Sequence, residues 1–401
     1  MLINNYIKEK YYKNKYFKKY SKNFQSILSE INTEINSSHK IFNILNKKFY
    51  LNFSIKDLKK FKKFKSIVII GMGGSILGAE AIHDFLAEKI KKKVRFLNNL
   101  DESQITKIKK EENVSKLLFI IISKSGNTVE TLANSFALNL FKKKHSKNII
   151  IISEKKNNLL FKLCKKMNLF FIEHRPYVGG RYSVLSEVGL LPGYLMGINI
   201  YKLRSQIQTF LNKKERYFLK KTTTQMASIL ASNKFNNLIF INYSSKLEKF
   251  LFWCQQLIAE SLGKKGKGFL PVISNAPKDH HSLLQLYLDG PKDKIFNIFS
   301  VDENSKEKIY FNKTTDVKSF LNKKKIGSIK NAQKKALIKT FKNKNIPFRE
   351  FKIKDNSEEE LGKIFSFFII ETIIIGKMLK INPFDQPAVE QVKIFTKELL
   401  S

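Results

Sequence analysis

LLFIIISKSGNTVETL, residues 117–132, joins an unbroken apolar run to a hydroxyl-rich turn and then to a helix-forming stretch. Residues 117–122 read as a strand buried on both faces, the kind that parallel sheets use. The turn that follows, Ser123-Lys124-Ser125-Gly126-Asn127-Thr128, then lies beyond a strand's carboxyl end and opens a helix. Its hydroxyls at Ser123, Ser125 and Thr128, with the free amides and positive dipole end of the helix, suit a compact dianion such as phosphate. Gly126 removes a Cβ that would hold the backbone away from a ligand. The plainer reading makes Thr128 an ordinary helix N-cap.

Working outward, SIVII at 66–70, the loop Gly71-Met72-Gly73-Gly74-Ser75 and a helix through AEAIHDFLAEKI repeat the order strand, loop, helix. NIIIIS at 148–153 and LFFIE at 169–173 continue the series. A second series runs through LIFIN at 238–242, a helix carrying Trp253 to Leu262, IFNIFS at 295–300 and FREFKI at 348–353. A long apolar helix follows at about 359–379. Apolar, β-branched runs alternating with helices predict an α/β protein of two domains with parallel sheets covered on both faces, joined by a helical link around 201–235. The lysine-rich stretch 320–345 mixes turn and helix signals and takes no assignment.

A chain of 401 residues with 43% hydrophobic content has material for two cores. Its formal net charge of +40 invites a nucleic-acid reading. The lysines are spread through almost every polar segment rather than gathered in a stripe, which argues against that class while leaving a field that attracts anions. Cys164 and Cys254 lie far apart in apolar contexts, so neither a disulfide framework nor a zinc site is expected. The basic, aromatic N-terminus lacks the apolar core of a secretory signal. The run SFFIIETIIIG is short and broken by Glu371, well below the ~20 residues of a membrane span. A cytoplasmic protein is expected.

In open α/β sheets ligands sit beyond the carboxyl ends of strands, where both the glycine loop and the hydroxyl loop fall. The glycine loop departs from the dinucleotide fingerprint at Ile76, and no Walker Gly-Lys-Ser/Thr occurs, so no nicotinamide cofactor is expected. Its backbone amides and the Ser75 hydroxyl are read as facing an anion, against the alternative of a tight strand-to-helix turn. Val178-Gly179-Gly180-Arg181 places a guanidinium after paired glycines, where it can stabilise developing negative charge. Glu260, near the end of an apolar helix that Gly263 terminates, is expected in partly apolar surroundings with raised proton affinity, suiting a base for a carbon acid. Asp279-His280-His281-Ser282 offers acid–base work by one imidazole rather than a joint metal site. The stiff turn Ile381-Asn382-Pro383-Phe384-Asp385-Gln386-Pro387 can present Gln386 to a ligand. Lys393, on the helix beyond it, is by itself one lysine among many.

Together GMGGSILG, SKSGNTVET, VGGRYSVLSEVGLLP, QQLIAESLGKKG, DHHSLLQLYLDGP and INPFDQPAVEQVK resemble, in order, the segments of the glucose-6-phosphate isomerase family, from about residue 66 to the C-terminus. The resemblance implies two α-β-α sandwich sugar-isomerase (SIS) domains with mainly parallel sheets, plus helical N- and C-terminal segments. The chain then divides into a helical segment 1–50, a first sugar-isomerase domain 51–200, a second at 201–380 with the helical link, and a C-terminal turn and helix at 381–401 that completes the active site. It further implies a metal-free, cofactor-free aldose–ketose isomerase of glycolysis and gluconeogenesis, a homodimer with no nucleic-acid or membrane partner. Phosphate would rest on Gly74, Ser75, Ser123, Lys124, Ser125 and Thr128. His281 would assist ring opening, with His280 the fallback. Glu260 would carry a proton between C2 and C1 of glucose 6-phosphate through a cis-enediolate towards fructose 6-phosphate. Arg181 and Lys393 would stabilise its charge, and Gln386 would position the sugar.

The chain departs from the long family members in SKSGNT, in ESLGKKG where they have ESNGK, and in Ala388 where a glycine is usual. Its hydroxyl loop also resembles that of isomerases acting on both glucose and mannose 6-phosphates, which keeps dual specificity as an alternative. A reading of another class, a sugar-phosphate-binding regulator without chemistry, predicts no need for Glu260.

Overall fold

The computed structural model describes residues 1–111, 113–302, 305–311 and 320–400. Ten strands form two five-stranded sheets. In the first sheet β2 (Ser66–Ile70) lies between β3 (Lys93–Leu97) and β4 (Leu117–Ile122), followed outward by β5 (Ile149–Ser153) and β6 (Phe170–Glu173), all parallel. Helices such as Leu77–Phe85 and Val129–Ala137 connect the strands. The chain leaves β2 first to one side and then to the other, so the order reverses between β2 and β4. That gap is where an open α/β sheet makes a crevice at its strand ends.

The second sheet is built the same way. β7 (Asn237–Asn242) lies between β8 (Leu270–Asn275) and β9 (Lys294–Val301), and β10 (Phe348–Ile353) follows β9, all parallel. Its reversal falls between β7 and β9. The segment expected to be only helical at 1–50 does carry the helix Asn14–Asn36, but it begins with β1 (Leu2–Asn5), which pairs antiparallel with the free edge of β10. LINN is too short and polar to announce a strand, and the edge of a finished sheet supplies its pairing. The unassigned lysine-rich stretch contains the helix Ile326–Asn343; residues 312–319, part of the surrounding polar region, lie outside those described.

Fully buried β-branched and aromatic side chains on β2, β4, β7 and β9 pack under the helices Glu248–Leu262 and Glu358–Met378. Glu371, which interrupts the apolar run of the latter helix, turns inward. Its Oε1 accepts from Arg349 Nη1 at 2.5 Å, and the same guanidinium reaches Thr222 Oγ1 and Asn297 Oδ1. A buried carboxylate is tolerated there because a buried cation and its hydrogen bonds match it. Among the described residues no helix is long and apolar enough to cross a membrane.

Candidate active site

The loop after β4 folds on its own hydroxyls. Ser123 Oγ accepts from Gly126 N at 3.1 Å, and Ser125 Oγ accepts from Asn127 N at 3.3 Å. Thr128 stands at the N-cap of the helix Val129–Ala137, yet its side chain makes no capping bond; it lies 2.8 Å from Ser123 Oγ and 3.4 Å from Ser125 Oγ. Thr128 thus occupies the N-cap position without capping through its hydroxyl, and three hydroxyls gather at a strand end on the positive end of a helix. Gly126 has φ +69°, and a Cβ there would meet Asn158 Oδ1 at 1.9 Å. Asn158, which sequence reasoning passed over, caps the next helix by accepting from Phe161 N and so holds this loop from behind. Lys124 turns its ammonium to the Pro176 carbonyl at 2.7 Å and to Glu154 at 3.6 Å; burial draws its proton affinity below the ordinary lysine range.

The glycine loop after β2 adjoins this one across the reversal point. A Cβ on Gly71 would lie 3.1 Å from the Ile122 carbonyl at the end of β4 and 3.2 Å from Ser75 Cβ. That places Ser75 beside the hydroxyl loop. Gly74 is explained differently from expectation: a Cβ there would meet the backbone of Gly180 at 2.2 Å and Arg181 N at 2.4 Å. The glycine admits the Gly179-Gly180-Arg181 loop, so the first loop sets the position of the guanidinium. Gly74→Ala is expected to lower unfolding stability by about 2 kcal/mol through this overlap and to impair activity as Arg181 shifts. Urea unfolding alongside an activity assay checks both.

Arg181 is only 2% exposed and gathers the rest of the site. Nε donates to Ser261 Oγ at 2.9 Å; Nη1 donates to Glu260 Oε2 at 3.0 Å and Gln386 Oε1 at 2.6 Å; Nη2 donates to the carbonyls of Pro383 and Asp385 at 2.6 and 3.0 Å. Glu260 Oε1 in turn accepts from Gln256 Nε2 at 2.9 Å. Glu260, expected in partly apolar surroundings, has both carboxylate oxygens held by polar donors, because Gln256 lies one helical turn earlier and Arg181 arrives from another element. Gln256 and Ser261 were missed by sequence reading; Gln256, four residues before Glu260, lies within its reach on the helix, whereas Ser261 is buried and meets Arg181 and Tyr182 instead. Lys264 fixes the C-terminal turn through Asp385 Oδ1 at 2.9 Å. A cavity of about 830 Å³ opens beside Glu260, Lys264 and Gln386.

Two candidates stand apart from this cluster. His280 and His281 follow β8 in a short helical turn, where His280 Nε2 meets Tyr243 Oη at 2.8 Å and His281 is exposed. Burial, with His281 alongside, lowers the proton affinity of His280. Lys393 pairs with Glu390 at 2.6 Å on the helix Glu390–Leu399, whose residues are all exposed. The hydrogen bonds that join Glu260, Gln386 and Arg181 thus do not extend to His281 or Lys393 within the described residues of one chain.

Behind the hydroxyl loop, His174 is 1% exposed; its Nδ1 donates to the Arg175 carbonyl in the neutral ring, and its Nε2 is buried without a partner. Burial, then Lys124 nearby, lowers its pKa from 6.5 to about 4. Below 6.5 the unfolded chain takes up a proton that the native ring refuses, so stability is intact above that pH and falls as pH drops towards 4. Unfolding at pH 7 and pH 5 should show the decline, up to about 3 kcal/mol over the whole window, and His174→Leu should flatten it.

The sheet order and the two loops form an α/β crevice at strand ends whose hydroxyls, amides and helix dipole suit an anion. The chain matches the family described as phosphoglucose isomerase over residues 46–401. It is 34% identical over 353 residues to a glucose-6-phosphate isomerase of Mycoplasmopsis synoviae (strain 53), covering 82% of this chain and 81% of that one. It is 31% identical over 355 residues to the glucose-6-phosphate isomerase of Methanocaldococcus jannaschii, covering 84% and 86%. A crystal structure of a hypothetical protein from Thermus thermophilus shares the fold with a TM-score of 0.83 at 22% identity over 96% of each chain. The chain belongs to the phosphoglucose isomerase family.

Proposed function

We infer that this chain is an aldose–ketose isomerase interconverting glucose 6-phosphate and fructose 6-phosphate, and we propose the residues that carry the reaction. The observation that supports the assignment of roles is the single guanidinium of Arg181 joining Glu260 and Gln386, beside a loop of three hydroxyls. The phosphate binds at Ser75, Ser123, Ser125 and Thr128, with the backbone of Gly74 and Lys124 shaping the cradle. Anchoring this unreactive group orients the reacting carbons and supplies binding energy for the chemical step. Glu260 removes the C2 proton of the open-chain aldose; the electron pair forms the C1–C2 double bond of the enediolate as the carbonyl oxygen gains charge. Returning the proton to C1, as the hydroxyl proton passes from O2 to O1 and the C2 carbonyl forms, gives the ketose. Arg181 is already desolvated beside Glu260, so its charge stabilises the enediolate, and Nη1 can exchange Gln386 or Glu260 for the substrate oxygen. Gln386 holds a sugar hydroxyl.

His281, exposed beside an anchored His280, assists ring opening, and Lys393 adds a second cation. Neither belongs to the Arg181 cluster of one chain, which supports a homodimer in which the C-terminal helix and the histidine turn meet a second copy. That helix presents Val392, Phe395 and Leu399 at 67%, 51% and 87% exposure, an apolar stripe at helical spacing.

A coupled assay of fructose 6-phosphate conversion in chelator tests the function, with mannose 6-phosphate run alongside. Turnover of fructose 6-phosphate alone is expected. Turnover of both substrates would make the enzyme dual-specific, and sugar-phosphate binding without turnover would make the chain a regulator.

A further inference from the structure

We propose that the second sheet carries its own phosphate-type anion site, at the cavity beyond the carboxyl ends of β7, β9 and β10. The cavity is about 290 Å³, room for a phosphate or a small phosphate monoester. It occupies the same topological place as the hydroxyl loop of the first sheet. Each sheet reverses its order beside its first parallel strand, at β2/β4 and at β7/β9. In each, the strand across that gap leads to a helix, Val129–Ala137 after β4 and Ile326–Asn343 after β9. Tyr243 just past β7, Ser300 at the end of β9 and the start of the helix Ile326–Asn343 line the cavity.

The donor chemistry also matches. In the first loop Ser123 and Ser125 accept from backbone amides, which leaves each hydroxyl its own proton to donate. In the second cavity Ser305 Oγ accepts from Gly327 N at 3.0 Å, and Ser300 Oγ accepts from Lys334 Nζ at 2.9 Å. These hydroxyls likewise keep a proton to offer. Gly327 is required by the approach, since a Cβ there would lie 2.6 Å from Ser305 Cβ. Charge is added by Lys325, Lys330, Lys334 and Lys352 on the wall.

Scattered surface lysines are ordinary in this chain, but Lys334 is 5% exposed, held in place by Ser300 and by Glu350 at 3.2 Å. Asp302 is the one acidic residue among the lining side chains described. Lys325 and Lys352 outnumber it, so the cavity favours an anion over a cation. Tyr243, 2% exposed, forms part of the wall while its hydroxyl meets His280, so the occupant sits one side chain from the histidine turn.

Isothermal titration of inorganic phosphate at fixed ionic strength in chloride tests the site. The wild-type protein is expected to show two sites per chain. Lys325→Ala/Lys352→Ala, two exposed positions that leave the fold intact by thermal melting, should weaken one of them at least tenfold and spare the other. Ser123→Ala/Thr128→Ala should remove the other alone, so loss of the substrate site and loss of this one are separable. Glycerol 3-phosphate, titrated in competition, separates a monoester ligand from free phosphate by which binds tighter. A single site that vanishes with Ser123→Ala/Thr128→Ala, or wild-type stoichiometry and affinity in the lysine variant, overturns the proposal.

Discussion

Glu260→Gln is expected to lower kcat by about 10²–10⁴-fold in both directions while changing KM little. The amide keeps the length and shape of the side chain and can still accept from Arg181, so the site should remain assembled. It cannot take a proton from carbon. In the proposed assignment substrate binding rests on the hydroxyl loop around Ser123 and Thr128, which the substitution does not touch. Stability should fall little, because the Glu260 side chain is 34% exposed and the glutamine amide oxygen still accepts from the buried Arg181, which keeps its four other hydrogen bonds. A second reading ties the loss to proton transfer. When the base exchanges its proton with solvent before returning it, deuterium from the solvent appears in the product. Exchange and isomerisation should fall together in Glu260→Gln, whereas exchange persisting without isomerisation would assign the base elsewhere. Glu260→Asp retains a carboxylate but withdraws it by one methylene, and an intermediate loss is expected from misplacement.

The central strands were legible because burial on both faces leaves no room for polar residues: LLFIII, SIVII, LIFIN and IFNIFS are β4, β2, β7 and most of β9. The strands that sequence reading missed are edges. β3 carries Lys93 and Arg95 on a half-open face, β8 contains Pro271, which lacks a backbone N–H and is tolerated where no further strand pairs, and β1 is only LINN. The site divides along similar lines. Motifs that combine glycine with hydroxyls at a strand end declare themselves, because loop position and donor type are both local. The surroundings of Glu260 were only half legible: Gln256 lies one helical turn earlier on the same helix, but Arg181 comes from about eighty residues earlier and is itself held by a turn far later in the chain. The role of Gly74 was hidden for the same reason: what it accommodates is the backbone of Gly180.

Arg181→Met should be the most damaging single change, acting on both chemistry and architecture. Its guanidinium makes five hydrogen bonds, two of them to carbonyls of the Pro383–Asp385 segment. Methionine fills the volume but takes the donor from the Asp385 carbonyl, leaves Pro383 and Ser261 with Tyr182 Oη alone, and strips Glu260 and Gln386 of their shared cation, a cost of about 3 kcal/mol. It also removes a preorganised cation from the enediolate, for which a fall of about 10²–10³ in kcat is expected. Arg181→Lys does not rescue: an ammonium is a point charge with three donors and cannot span Ser261, Glu260, Gln386 and two carbonyls as the planar fork does. The two roles separate by adding free guanidinium to the methionine variant. A small cation that enters the space can restore charge next to Glu260 and recover part of kcat. It is not tethered to the Gly180 loop, so it should not restore the melting temperature. Recovery of both together would mean that Arg181 acts only by holding the C-terminal turn, and that the charge on the intermediate is met by another cation.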